Sequence, residues 1–247
     1  MSFDQFVKLK PGMEKVETSA QKHKLGTRAT TPDGRVFYYA ENSGTAIDHG
    51  GYLVDGIAAV AAHDMDVAAT ATSAGATSFT SGTSLTVTLN QYKDGYVYFN
   101  DGPGQGETYQ VKSNTAVSGA TGLSITIDEE DGLVTALTTS SLFGLMYSPY
   151  KDIKIIDGDG TMTTSVLGVT TAPLTADYFG WIQTAGPASV RLGAQVGVVG
   201  DALTWSQASG EDGEAERTDY SDEADIANIG IAMGIPAVDS DNQWVML

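Results

Sequence analysis

Along much of the chain, apolar and polar positions alternate with a period of two. Val36, Tyr38 and Ala40 alternate with Phe37, Tyr39 and Glu41. Leu85, Val87 and Leu89 alternate with Ser and Thr in Ser84–Leu89. Tyr96, Tyr98 and Asn100 alternate with Val97 and Phe99, and the same rhythm runs through 107–112, 123–127 and 133–137. Successive strand side chains point to opposite faces, so this rhythm predicts half-buried β-strands. The separators carry turn chemistry: Pro32-Asp33-Gly34, Asp94-Gly95, Asp101-Gly102-Pro103-Gly104, Ser118-Gly119 and Asp131-Gly132. Further strands are expected at 162–169, 178–184, 188–192, 229–233 and 244–247. The segment 52–65 is alanine-rich, but Gly56 interrupts it and it is read as extended. Residues 1–24 lack a firm period and hold Pro11 and Gly12, which predicts an extended arm with a short helix near 13–22.

The expected fold is therefore mainly β: antiparallel barrel or sandwich domains with an extended N-terminal arm. The expected divisions are the arm at 1–24, a hairpin and antiparallel β domain at 25–155, and a second barrel- or sandwich-like region at 156–247. The acidic stretch 210–225 is expected to be an exposed loop.

Charge sharpens this picture. The 247 residues carry a net charge of −18. Residues 1–28 run the other way, at +3, through Lys8, Lys10, Lys15, Lys22, Lys24 and Arg28, whereas 201–247 carry −10. Nucleic acid and anionic membrane are poor partners for such an acidic surface. A basic arm on an acidic body is expected to dock on something acidic: its own body, a neighbouring subunit or another protein. Its removal is expected to leave the body folded. No cysteine is present, which excludes disulfides and thiol chemistry. The opening MSFDQFVKLKPG lacks an apolar h-region, so no secretory leader is expected.

Catalytic patterns fail on spacing or on partners. His23, His49 and His63 form no HExxH or paired-histidine motif, no GxSxG elbow occurs, and His63 reads as a packing residue at a strand end. Gly102–Glu107 resembles a phosphate loop but lacks its Lys-Ser/Thr ending, and Pro103 removes an amide donor. Asp157 and Asp159 open like a calcium loop, yet Gly168 stands where the closing Glu belongs. Asp128–Asp131 reads as a solvated turn rather than an acid/base pair. Trp181, Trp205, Trp244, Tyr96, Tyr98 and Tyr178 read as core or interface anchors, with a sugar-binding surface as the other reading. No cofactor, metal or enzymatic activity is expected.

Several segments resemble head decoration (cement) proteins of marine and cyanobacterial tailed phages. They are the hairpin 25–47, the strand–Gly-rich turn–strand of 91–112 leading to 137–150, the Gly-Trp-x-Gln-Thr strand of 178–192, and the Gly-x-Ala and final strands of 229–247. The resemblance implies a virion protein on the outer capsid surface, made in the host cytoplasm. It implies a homotrimer that clamps neighbouring capsomers, with the major capsid protein as partner and no catalysis. The arm residues named above would then contact capsid or subunit, as a clamp or a subunit-swapped tie. A virion fibre or adhesin that binds a host glycan or receptor is the other reading, and a β-fold glycan hydrolase is a third.

Overall fold

The structure is a computed structural model that describes residues 6–158, 162–195, 197–218, 228–234 and 241–247. The chain is nearly all β, in antiparallel sheets, with an extended arm at its start. It divides into two compact units, Met1–Ile57 with Pro149–Leu247, and Ala58–Ser148. This corrects the expected division at residues 155 and 156. The first unit is built from both ends of the chain, and the second is inserted between them. Strand Leu53–Asp55 pairs with Lys154–Ile155, so the chain leaves and re-enters the first unit at neighbouring positions. A Cβ on Gly56 would lie 2.5 Å from the Pro149 carbonyl oxygen, so only glycine fits where the two crossings meet.

The first unit holds a seven-stranded sheet in the order Val7–Lys8, Arg28–Thr30, Val36–Glu41, Phe179–Ala185, Gly168–Thr170, Leu53–Asp55 and Lys154–Ile155. Only the first pair is parallel. The hairpin forms as its turn residues require: Gly34 has φ 87° and its N–H donates to the Thr31 carbonyl at 3.0 Å. Phe37 and Tyr39 are buried on one face, as the alternation predicts. Ala40 and Ile182 are buried too, because the opposite face packs on Ile47, Val54, Ile153 and Leu174. A five-stranded antiparallel sheet runs Pro187–Arg191, Asn242–Met246, Gly230–Ala232, Ala202–Trp205 and Ala215–Arg217. Its inner side chains, among them Val190, Leu203, Trp205 and Val245, share a core with Leu53 and Val169, which makes this part a sandwich.

In the second unit the six-stranded order is Val67–Ala68, Leu142–Met146, Tyr96–Asp101, Thr108–Asn114, Ser124–Ile127 and Ser78–Thr80. An Ala69–Ser81 bridge joins its two outer strands, so the sheet curls towards a barrel. Phe79, Phe99 and Phe143 fill it, Phe143 edge to face with the other two, at centroid distances of 5.2–6.2 Å.

Five local expectations are corrected. The arm holds a single 3-10 turn, Met13–Lys15, rather than a helix over 13–22. Within 52–65, strand Leu53–Asp55 is followed by a four-residue helix, Ala61–Asp64. Residues 133–137 make one bridge, Thr72–Leu137, and no strand, and over 162–169 only Gly168–Thr170 is strand. The acidic stretch is not an exposed loop over its described part. Ala215–Arg217 is a strand with Glu214 and Glu216 buried, because Arg191 Nε donates to Glu214 at 2.6 Å and the Ser206 hydroxyl to Glu216 at 3.2 Å. Residues 219–225 lie outside the described residues.

Replacing residues 58–148 with a short Gly-Ser linker should leave the first unit folded, with a β-type circular dichroism spectrum and one cooperative melt. A non-cooperative melt would show that the unit depends on its insert. His63 supplies a second test. It is buried, with Nδ1 2.6 Å from the Tyr92 hydroxyl, and burial holds its pKa below the ordinary 6.5. Below pH 6.5 the unfolded chain takes up a proton that the folded chain declines. Stability should therefore fall with pH from about 6.5 downward, by at most about 1.4 kcal/mol per pH unit, until the folded-state pKa is passed. The difference in Tm between wild type and His63→Gln, followed from pH 7.5 to 5, should shrink. A constant difference would contradict this.

Candidate functional site

Among the described residues, the side chains weighed for chemistry lie apart from one another. Among the described residues, no three His, Asp or Glu side chains gather as a metal site. His63 faces Tyr92, His23 packs between Tyr39 and Trp181, and His49 is exposed beside Asp48. The Gly102–Glu107 segment is the turn between strands Tyr96–Asp101 and Thr108–Asn114. Three of its amides are spent on the turn and the strand before it: Gln105 N–H donates to Gly102 O at 3.0 Å, Gly106 N–H to Phe99 O at 2.9 Å and Glu107 N–H to Gly104 O at 2.9 Å. No row of donors remains to cradle a phosphate. Glu129, Glu130 and Asp131 are exposed at a corner. Asp159 lies outside the described residues. No helix among the described residues is long and apolar enough to cross a membrane.

What the fold offers instead is surface, and the arm is its first part. The arm docks on its own body. Leu9 is buried, and its N–H donates to Thr30 O at 2.9 Å. Thr18 and Phe179 exchange two backbone hydrogen bonds of 2.9 Å. The Glu17 carboxylate accepts from the Thr175 N–H at 2.6 Å and from its hydroxyl at 2.8 Å. Glu14 is buried, accepting from Gly12 N–H at 2.7 Å and from Arg35 Nη2 at 3.3 Å. Tyr39 Oη lies 3.1 Å from Thr18 Oγ1 and accepts from Lys22 N–H at 3.1 Å. Carboxylates and backbone thus fasten the arm, while Lys8, Lys10, Lys15, Lys22 and Lys24 lie exposed. Arg28 departs from that row: it is half-buried, with its guanidinium over the Phe6 ring at 5.1 Å.

The second surface is the outer face of the five-stranded sheet. Ile231 lies opposite Met246, Met246 opposite Pro187, and Trp244 opposite Ser189. Ile231, Met233, Trp244 and Met246 are all exposed, Trp244 by 62%. The six aromatics weighed from sequence therefore separate. Trp181 and Trp205 are buried, Tyr98 and Tyr178 half-buried, and Tyr96 and Trp244 exposed. Alternation alone could have shown that Trp244 and Met246 share a face. It could not show that the face is uncovered.

Beside Trp244 is a cavity of about 270 Å³, into which residues from the arm, both sheets and the Gly50-Gly51 turn converge. Its charged lining residues are Lys15 and Arg35. Arg35 is held by Glu14 and by Asp33, at 3.3 and 2.8 Å. The Thr31 hydroxyl, and after it Arg35, hold the Asp33 carboxyl below the usual carboxylate range. Sequence reading missed this cavity, because Lys15, Arg35, Ser189 and Trp244 are far apart in the chain.

A scan against protein-family models, a search of curated proteins and a search of solved structures each find no match to this chain.

The body is expected to stay folded without residues 1–24, but the arm contacts give their removal a cost in stability. Deletion uncovers Tyr39 and Trp181 and leaves Arg35 without Glu14. Loss of the buried Leu9 side chain alone removes about 1.5–3 kcal/mol. Deleting residues 1–24 should lower the Tm by about 5 °C or more. An unchanged Tm in a thermal melt would show that these contacts add nothing to stability.

Proposed function

We propose that the protein is a structural component of a phage virion, decorating and stabilising the outer capsid surface by clamping neighbouring capsomers. The observation that carries this reading is the arm. It is fastened to its own sheet by buried groups, and that anchored segment carries five exposed lysines on an otherwise acidic chain. Such a segment fits an acidic protein surface, with orientation set in advance by the sheet beneath it. Because the arm is tied down within its own chain, it acts as a rigid edge rather than as a loose, swapped tie.

The uncharged face of Pro187, Ile231, Met233 and Met246 supports self-association. Copies carrying −18 each repel one another, so contact between them is favoured where charge is absent. A homotrimer that binds only the expanded shell would stabilise it by mass action. The partners in this reading are the major capsid protein and the chain itself. A second reading, a virion fibre or adhesin for a host glycan, is favoured by exposed Trp244 at the mouth of the cavity.

The test is cosedimentation with expanded and unexpanded tailed-phage heads stripped of decoration, over a salt series. Wild type should pellet with expanded heads only and be released as salt rises. Reversal of Lys8, Lys10 and Lys22 to Glu should weaken pelleting at least tenfold. Equal pelleting with both head forms, no pelleting, or an unaffected triple variant would each overturn the reading.

A further inference from the structure

The cavity beside Trp244 has the chemistry of a small-ligand site. Trp244 is 62% exposed, whereas Trp181 and Trp205 are each 6% exposed, so one tryptophan of the three stands in solvent at the cavity mouth. An exposed indole offers a flat apolar plane with a polar edge. The charged groups lining the cavity, Lys15 and Arg35, are both cationic, on a chain of net charge −18. Arg35 is neutralised by Asp33 and Glu14. The Lys15 side chain is exposed and makes no ion pair among the described residues, so it is the cation open to an incoming carboxylate.

The polar wall is also held in place. Asn242 Nδ2 donates to Ser189 Oγ at 3.0 Å, which sets the orientation of the amide. Its approach depends on Gly51, whose φ is 101° and where an added Cβ would lie 2.5 Å from Asn242 Nδ2. Across the cavity, Gln183 is buried, with Nε2 donating to Pro187 O at 2.8 Å. An aromatic plane, oriented amides and hydroxyls, and one open cation answer three features of one ligand class. These are the C–H face of a sugar ring, its hydroxyls, and a carboxylate. A volume of about 270 Å³ lies just below the usual range for drug-sized ligands, which suits a single ring rather than a long chain in full.

We infer that this cavity binds one carboxylated sugar unit, a hexuronate, with the ring stacked on Trp244, its hydroxyls on Asn242 and Ser189, and its carboxylate at Lys15. This deepens the glycan reading given above and rests on it. It is independent of capsid binding.

The experiment is titration of the full chain with tri-galacturonate and with neutral galactotriose, followed by tryptophan fluorescence and calorimetry. The acidic sugar should bind at millimolar or better affinity, at least tenfold tighter than the neutral one, and shift the Trp244 emission. Trp244→Ala should weaken binding at least tenfold. Lys15→Ala should weaken it severalfold and remove most of its salt dependence. Both side chains are exposed, so both variants should keep the wild-type melt. No heat and no shift at 10 mM sugar, equal binding of the neutral sugar, or binding indifferent to both substitutions would overturn the inference. Acidic-sugar binding that survives both substitutions would leave the glycan reading standing and refute this site. A Trp244→Ala variant that loses mass by light scattering yet still binds sugar would assign Trp244 to self-contact, which also refutes it.

Discussion

The first unit depends on one long-range pairing, that of Val36–Glu41 with Phe179–Ala185. These two strands lie at the centre of the seven-stranded sheet. Their pairing puts Phe37, Tyr39 and Trp181 on one face, and Ala40 and Ile182 on the other. Neither face can be left in water, because each fully buried side chain of this size contributes about 1.5–3 kcal/mol. Leu9 of the arm and Leu25 just after it cover one part of the aromatic face, and the five-stranded sheet packs on the same sheet at Leu53 and Val169. The arm is therefore a structural element first. The same contacts that bury its apolar and acidic side chains turn its lysines outward.

That constraint shapes the functional reading. Glu214, which sequence alone placed in an exposed loop, and Glu14 in the arm are consumed as buried acceptors for Arg191 and Arg35. Lysines and a few apolar side chains are left as the distinctive surface. That surface is what the proposed capsid-decorating role rests on. The cavity at Trp244 arises where arm, hairpin turn and both sheets meet, so it too is a by-product of covering the central sheet.

Local pattern and turn chemistry were enough to show the β class, the hairpin at Pro32–Gly34, and most strands of the inserted unit, where one buried face yields clean alternation. They also showed that Gly102–Glu107 is a turn and that the arm is basic. They misplaced the domain boundary, because insertion is a matter of which distant strands pair, and Leu53–Asp55 finds Lys154–Ile155 across the whole second unit. They misread 214–216 as solvent-exposed, since a run of acids looks solvated until Arg191 and Ser206 are brought beside it. Trp244 was legible as an anchor, but not as an exposed one. Alternation within a strand says which residues share a face. Whether that face is covered depends on contacts between segments up to two hundred residues apart, and only the tertiary structure decides that.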